Sequence, residues 1–139
     1  MKKKLRFLIT GGAGFVGSHL CEKINSKFKD CSIIILDKIT YAGDKSNLKN
    51  VLKNKNNKLI RADIIEYDKI LKFFNKIDIA INVAAESHVD RSFGNSFQFT
   101  KTNTFGAHVF LECCKQKNIN RIYQISTDEV YGQKLIGEN

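Results

Sequence analysis

The sequence predicts an α/β fold, a doubly wound parallel sheet with strand order 3-2-1-4-5 and helices on both faces. Short apolar or β-branched runs alternate with longer segments whose apolar residues recur at helical spacing. Strands that alternate with helices form βαβ units with right-handed crossovers. A glycine cluster directly after the first run is the third observation, since such a turn opens the first helix of this fold class.

Five strands and three helices follow from these patterns. The first helix has Val16, Leu20, Ile24 and Phe28 on one face, and the third has Phe105, Val109 and Phe110 backed by Cys113 and Cys114. The predicted strands are 4–10, 32–36, 58–62, 77–83 and 121–126, and the predicted helices are 15–28, 67–75 and 97–117. In this strand order, a ligand crevice is expected between strands 1 and 4, at their carboxyl ends.

The composition is that of one globular domain and argues against several other classes of protein. The chain has 139 residues and a net charge of +9. Its lysines are scattered, and the densest stretch, 49–61, has no interleaved aromatic residues, so we expect a solvated surface and no nucleic-acid partner. Apolar runs are far shorter than the ~20 residues of a membrane span, and no secretory signal is expected.

The four cysteines point to a reducing compartment. Cys21, Cys31, Cys113 and Cys114 form no Cys-x-x-Cys pair, and their spacing is poor for zinc. We therefore expect four reduced thiols that pack as small apolar residues, no metal site, and a cytoplasmic location.

The glycine cluster runs from Thr10 to Gly17 as TGGAGFVG, between the first strand and the first helix. Gly11 is expected to permit a tight turn, Gly14 to let a pyrophosphate approach the backbone, and Gly17 to let the helix pack closely on the strand. The N–H groups at the start of the helix would face the phosphates. The alternative is a glycine-rich turn that binds no ligand.

Two carboxylates follow the next two strands. Asp37 ends strand 2, twenty residues after Gly17, where a carboxylate accepts ribose hydroxyls and repels a 2′-phosphate, which favours NAD over NADP. Asp63, followed by Ile64, is placed to meet the adenine. Either carboxylate could instead cap the loop or helix that follows it.

Polar residues also follow strands 4 and 5. The segment 84–91 places His88, Asp90 and Arg91 on a loop at the crevice, although the histidine could be an ordinary hydrogen-bonded one and the other two could pair with each other. Ser126 to Glu129 offers a hydroxyl and two carboxylates suited to proton transfer. Alternatively, Thr127 or Asp128 caps a short helix.

Five segments together resemble a known family. They are TGGAGFVGSHL (10–20), LDKITYAG (36–43), AAESHVDRS (84–92), TNTFGAHVFLE (102–112) and ISTDEVYG (125–132). The chain resembles the extended short-chain dehydrogenases/reductases, which have a Rossmann fold, and within them the dTDP-glucose 4,6-dehydratases. The third and fifth segments are the more specific, because UDP-glucose 4-epimerases usually lack the Asp-Glu pair.

The resemblance implies roles for individual residues. In the binding of NAD, it places Phe15 and Val16 at the pyrophosphate, and Asp63 and Ile64 at the adenine. Around the adenine ribose it places Asp37, Lys38, Ile39 and Thr40. On the nicotinamide side it places Val83, Ala84, Ala85, Glu86, Ser87 and Thr102. It also places Ser87 against the sugar nucleotide and Thr127 near the glucose 4-hydroxyl.

The implied reaction converts dTDP-glucose to its 4-keto-6-deoxy sugar, a step of deoxysugar biosynthesis. Hydride passes from C4 to NAD, Glu129 removes the C5 proton, Asp128 protonates the C6 hydroxyl as it leaves as water, and hydride returns to C6. Family members of full length are expected to be homodimers.

The chain departs from the family pattern in one respect that bears on catalysis. The Tyr-x-x-x-Lys expected some thirty residues after Glu129 is absent, and the match from Tyr41 to Lys45 lies in the wrong loop and is interpreted as chance. We expect 1–139 to be an NAD-binding domain without its substrate-binding half, inactive on its own. The alternatives are another sugar-nucleotide epimerase or dehydratase, a nucleotide-binding module without chemistry and, least favoured, a nucleic-acid binder.

Overall fold

Five parallel strands form one sheet in the predicted order. The computed structural model describes residues 4–132, with Val89, Asp128 and Glu129 described by their backbone alone. The strands are β1 Leu5–Thr10, β2 Cys31–Asp37, β3 Lys58–Arg61, β4 Ile79–Asn82 and β5 Ile122–Gln124. The order is β3-β2-β1-β4-β5, and each neighbouring pair is parallel, so the predicted doubly wound, Rossmann-type sheet is confirmed.

Helices connect the strands. They are α1 Phe15–Lys27, α2 Tyr67–Ile70, α3 Val89–Gly94, α4 Ser96–Phe99 and α5 Ala107–Gln116. A π-helical segment, Thr100–Gly106, joins α4 to α5, and 3₁₀ turns cover Lys45–Leu48, Val51–Lys53, Leu71–Phe74 and Asp128–Tyr131. The sequence therefore predicts the strands and α1 to within a few residues.

The core has two layers because successive strand residues point to opposite faces of the sheet. In β1, Leu8 packs on one face, and Phe7 and Ile9 pack on the other. One layer joins the sheet to α2 and α5, with Phe74 and Phe110 in edge-to-face contact at 5.8 Å between ring centroids. The other joins it to α1 and the 3₁₀ turns after β2. Both faces of the sheet are thus covered, and its carboxyl edge is left for a ligand.

The expected long helix 97–117 is interrupted. In the π-helical segment, each backbone hydrogen bond spans five residues where an α-helix has four. The side chains on it are therefore shifted out of the 3.6-residue pattern. Phe105, expected in the core, is therefore 50% exposed, while Val109 and Phe110 are buried as expected. The π-helical segment ends at Gly106. A Cβ at this position would lie 2.6 Å from Cγ2 of Ile64, so glycine allows the helix backbone to lie this close to the Ile64 side chain.

Two further expectations are wrong in detail. Val16, placed on the buried face of α1, is 56% exposed, because the buried line of that helix runs through Gly17, Cys21 and Ile24. The segment expected as a loop after strand 4 contains the short helix α3. Its polar sequence has no apolar period, so the periodicity gave no sign of a helix.

The cysteines are free and buried, as expected of small apolar residues. Burial raises the pKa of the Cys21 and Cys114 thiols to about 12 and that of Cys113 to about 11. These thiols are therefore protonated at neutral pH. Over residues 4–132, no cluster of three potential metal ligands is found. None of the helices in that range has the length and apolar character that a membrane span needs.

Candidate functional site

The glycine turn is held by close packing between β1 and α1. Gly11 has a φ of +66°, and a Cβ there would lie 2.6 Å from Cα of Ala84. A Cβ at Gly17 would lie 2.2 Å from the carbonyl oxygen of Gly11. Gly12 is restricted by a side chain, since a Cβ there would lie 2.5 Å from Cγ2 of Ile35, and the sequence analysis missed that role.

Gly14 differs from these three glycines. Its backbone is extended, and the nearest atom to a Cβ there would be the Gly11 carbonyl oxygen at 3.4 Å, an ordinary contact. The packing of the chain therefore does not require glycine at this position. The first N–H groups of α1 point out of the helix end, which no side chain caps. Phe15 and Val16 are exposed beside them, so the turn presents backbone amides to solvent next to two apolar side chains.

Asp37 links the glycine turn to the loop after β2. Its side chain is buried, with Oδ2 accepting a hydrogen bond from Ala13 N at 2.8 Å and Oδ1 accepting one from Ile39 N at 2.7 Å. Ile39 has a φ of +56°, an uncommon conformation for a β-branched residue. The proposed alternative, that this carboxylate caps its loop, is thus part of what it does, and each oxygen retains a second lone pair for a ligand.

The ends of β2 and β3 are joined by an ion pair. Lys38 Nζ lies 2.6 Å from Oδ2 of Asp63, whose Oδ1 accepts a hydrogen bond from Ile65 N at 3.3 Å. Ile64 is buried against Gly106 of the π-helical segment. Of the two residues expected at the adenine, the carboxylate lies at the end of β3 paired with Lys38, and the isoleucine belongs to the core.

A chain of polar side chains crosses three strand ends beneath the crevice. The Thr10 hydroxyl donates to Asn82 Oδ1, and Asn82 Nδ2 donates to Gln124 Oε1 at 2.8 Å. The Thr10 oxygen also accepts from Val83 N at 3.3 Å. This network fixes the carboxyl ends of β1, β4 and β5 relative to one another. The sequence analysis missed it, although its signal was present in three polar residues that end or nearly end apolar strands.

The loop after β4 is positioned by the π-helical segment. Asn103 Oδ1 accepts from Glu86 N at 2.8 Å, and Asn103 Nδ2 donates to the Glu86 carbonyl at 2.9 Å. This double hydrogen bond holds Glu86 and the exposed Ser87 in place. Thr102, expected on the nicotinamide side, accepts from Gln98 Nε2 at 2.9 Å.

Tyr41 connects the loops after β2 and β4. Its hydroxyl donates to Glu86 Oε2 at 3.0 Å and lies 3.4 Å from Nδ1 of His88. The guanidinium of Arg91 stacks 3.6 Å from the centre of the Tyr41 ring. Tyr41, Glu86 and Arg91 border a cavity of about 470 Å³, which is also lined by Lys38, Thr40, Gly94, Asn95, Gln98 and Phe99.

The environment of Tyr41 makes it a poor candidate for a base. Partial burial, together with the hydrogen bond to Glu86, raises the pKa of its hydroxyl. A tyrosine base requires the opposite shift, because it must lose its proton near neutral pH. The interpretation of the match from Tyr41 to Lys45 as chance is consistent with this geometry.

The segment after β5 reaches the same edge of the sheet. Ile125 N donates to the Asn82 carbonyl at 2.9 Å, and Ser126 and Thr127 follow, both exposed. A 3₁₀ turn, Asp128–Tyr131, begins next, and the Thr127 carbonyl accepts from Val130 N at 3.4 Å. The side chains of Asp128 and Glu129 lie outside the described part of the chain, so their expected roles stay predictions.

Replacing Asp37 with alanine should lower the free energy of unfolding by about 2 to 4 kcal/mol, because two amides lose their acceptor in a buried setting. Urea denaturation followed by circular dichroism measures the change. Asp44→Ala is the matched control, since Asp44 also accepts from a backbone amide, that of Ser46, but is fully exposed. An equal loss in both variants would contradict a structural role for Asp37.

The fold and the glycine turn together define the class. A parallel sheet in the order 3-2-1-4-5, with a glycine turn between β1 and α1 and an acidic residue ending β2, is a Rossmann-type α/β domain.

Comparison with known families narrows this class to one family. The chain belongs to the GDP-mannose 4,6 dehydratase family, whose model matches residues 8–137. It is 46% identical to dTDP-D-glucose 4,6-dehydratase of Dictyostelium discoideum over 136 residues, which cover 96% of this chain and 31% of that protein. The human protein of the same name is 39% identical over 132 residues, which cover 94% of this chain and 38% of that protein. The resemblance noted in the sequence is therefore confirmed.

Solved structures of sugar-nucleotide enzymes are also similar to this chain. The dTDP-glucose 4,6-dehydratase of Streptomyces venezuelae, crystallised with NAD bound, superposes with a TM-score of 0.88 at 36% identity, over 96% of this chain and 42% of that one. A UDP-glucose 4-epimerase of Thermotoga maritima superposes with a TM-score of 0.81 at 26% identity, over 94% of this chain and 41% of that one. The chain thus spans about a third to two fifths of the length of these relatives.

Proposed function

We propose that this chain binds NAD at the carboxyl edge of its sheet and that it supplies the cofactor-binding part of a nucleotide-sugar 4,6-dehydratase acting on dTDP-glucose. The observation that carries the proposal is the contrast within the glycine turn. Close packing restricts Gly11, Gly12 and Gly17, whereas a Cβ at Gly14 would make only ordinary contacts, at 3.4 Å to the Gly11 carbonyl oxygen and 3.8 Å to that of Ala42. A glycine that its own chain does not require is explained by a molecule that approaches the backbone there.

The residues around the turn suit the parts of NAD. The free amides at the start of α1 suit the pyrophosphate, with Phe15 and Val16 beside it. Asp37 borders the place of the adenine ribose with Lys38, Ile39 and Thr40, and Asp63 lies at the end of the adjacent strand. The loop from Val83 to Ser87, fixed by Asn103, and Thr102 would face the nicotinamide half.

In the proposed reaction, NAD supplies the acceptor for hydride from C4 of the sugar and the donor of hydride to C6. Glu129 would remove the proton at C5 and return it when hydride reaches C6, and Asp128 would deliver a proton to the C6 oxygen as it leaves as water. The proton of the 4-hydroxyl would pass to the tyrosine base that the family supplies. Thr127 and Ser87 hold the sugar nucleotide at the crevice. These assignments rest on the family resemblance, and the position of 127–129 directly after β5 supports them, because it brings them to the edge that carries the glycine turn.

Sequence identity to the relatives favours dehydration over epimerisation as the reaction. Identity is 36% to the S. venezuelae dehydratase structure and 26% to the T. maritima epimerase structure. We also propose a cytoplasmic location and, for a protein of the relatives' full length, a homodimer. The chain of 139 residues should show no dehydratase turnover by itself, because its one Tyr-x-x-x-Lys match, Tyr41 to Lys45, lies in the loop after β2, where the tyrosine hydroxyl donates to Glu86.

Calorimetric titration of the chain with NAD and NADP tests the cofactor assignment. NAD should bind more tightly by about 1 to 3 kcal/mol, since a 2′-phosphate would meet the carboxylate of Asp37. Equal affinities, or a preference for NADP, would show that Asp37 does not discriminate between the cofactors. Failure to bind either cofactor would contradict the proposed site as a whole.

A further inference from the structure

Lys38 is a cation placed directly beside the residue expected to reject a 2′-phosphate. It follows Asp37 in the sequence, and its ammonium group would by itself favour the phosphate that the neighbouring carboxylate repels. The two residues therefore have opposite effects on the choice between NAD and NADP. Which effect prevails depends on where the ammonium group of Lys38 is held.

The structure holds that ammonium group on Asp63. Lys38 Nζ lies 2.6 Å from Oδ2 of Asp63, and the Asp63 side chain is only 16% exposed. The backbone is restrained as well, since Arg61 Nε donates to the Lys38 carbonyl at 3.4 Å. Because Oδ1 of Asp63 accepts from Ile65 N, the carboxylate is fixed at the end of β3 and can retain its partner there.

We propose that Asp63 determines cofactor specificity by keeping the Lys38 ammonium group in an ion pair, away from the 2′-position of the adenine ribose. This inference rests on the proposed binding of NAD. A 2′-phosphate carries a charge of about −1.5 to −2, and a free ammonium group beside it would offset the repulsion from Asp37. Because Lys38 is paired with Asp63, its ammonium group does not offset this repulsion. The 2′-phosphate of NADP then meets the full negative charge of Asp37.

The test is the ratio of the dissociation constants of NADP and NAD for the variant Asp63→Asn, measured by calorimetry on the 139-residue chain. The ratio is the right quantity because the two cofactors share every group except the 2′-phosphate, so a lost contact to adenine cancels. Asparagine keeps an oxygen for the Ile65 amide and removes the charge. We expect the ratio to fall by about fivefold or more, in favour of NADP.

Two further variants separate this effect from a general change of charge. Asp68→Asn removes an exposed carboxylate from the first turn of α2, with the same change in net charge, and the ratio should stay at the wild-type value. Adding Lys38→Met to Asp63→Asn should return the ratio to its wild-type value, because the released ammonium group that favours NADP is then absent. Circular dichroism verifies that each variant is folded, and Asp63→Ser replaces Asp63→Asn if the latter is not.

The outcomes are distinct. If the wild-type chain binds NAD and the Asp63 variant leaves the ratio unchanged, the inference is overturned and the proposed function stands. The inference is also overturned if Asp68→Asn shifts the ratio as much, or if the double variant keeps the gain. If the wild-type chain binds no NAD, the proposed function fails and the inference fails with it.

Discussion

Replacing Gly17 with alanine should destabilise the fold by about 3 kcal/mol or more, whereas the same replacement at Gly14 should change stability by less than about 1 kcal/mol. A Cβ at Gly17 would lie 2.2 Å from the Gly11 carbonyl oxygen and 2.7 Å from Cα of Gly12, so α1 would have to move away from the turn. Alanine favours a helix over glycine by up to about 1 kcal/mol, which is too little to offset that clash. Thermal unfolding of the two variants measures the difference.

Titration with NAD should show that Gly14→Ala loses affinity for the cofactor without losing stability. Gly14→Ala should fold normally and bind NAD at least about tenfold more weakly, because the added methyl group occupies the approach of the pyrophosphate. This pair provides its own control, since both changes add one methyl group to the same turn. Normal binding by a folded Gly14→Ala chain would place the cofactor elsewhere.

The second large effect concerns chemistry and requires a protein with the full length of the relatives. In such a protein, Asp128→Asn and Glu129→Gln should each slow the elimination of water by about 10²- to 10⁴-fold, the usual contribution of a general acid or base. Oxidation at C4 should be affected less, so the 4-keto-glucose intermediate and reduced cofactor should accumulate. Rapid-quench product analysis with absorbance at the reduced nicotinamide band detects both.

Asp68→Asn is a suitable control for these two variants, because it removes an exposed carboxylate from the first turn of α2, outside the candidate site. Its elimination rate should match that of the unchanged protein. If Asp128→Asn and Glu129→Gln also eliminate water at the normal rate, the acid and base roles belong to other residues.

The sequence predicts the sheet well because its signals are local. β1, β2 and β4 are apolar or β-branched runs, and their alternation with helices predicts parallel strands. The order 3-2-1-4-5 follows from the fold class that the glycine turn indicates. The π-helical segment could not be predicted, because no local signal marks it and its last residue, Gly106, lies against Ile64, 42 positions away in the sequence. Phe105 was misplaced for that reason.

The candidate site was predicted unevenly. Gly11, Gly17 and Asp37 have roles tied to a motif of fixed spacing, and the structure brings them together at the carboxyl edge of the sheet. The stacking of Arg91 on Tyr41 and the double hydrogen bond of Asn103 join segments that are distant in the sequence. No periodicity or spacing contains that information, because such contacts arise only when the loops meet.

The position of β1 in the centre of the sheet has a consequence for the order in which the protein is made. β1 is synthesised before β4, its partner on one side, and the two are 72 residues apart in the sequence, as in the hydrogen bond from Thr10 to Asn82. At about 5–20 residues per second, roughly 4 to 14 s pass between the synthesis of the two strands on the ribosome. During that interval, β2 can pair with β1, but the other side of this apolar strand lacks β4, so the nascent chain exposes an unpaired apolar edge until residue 82 emerges.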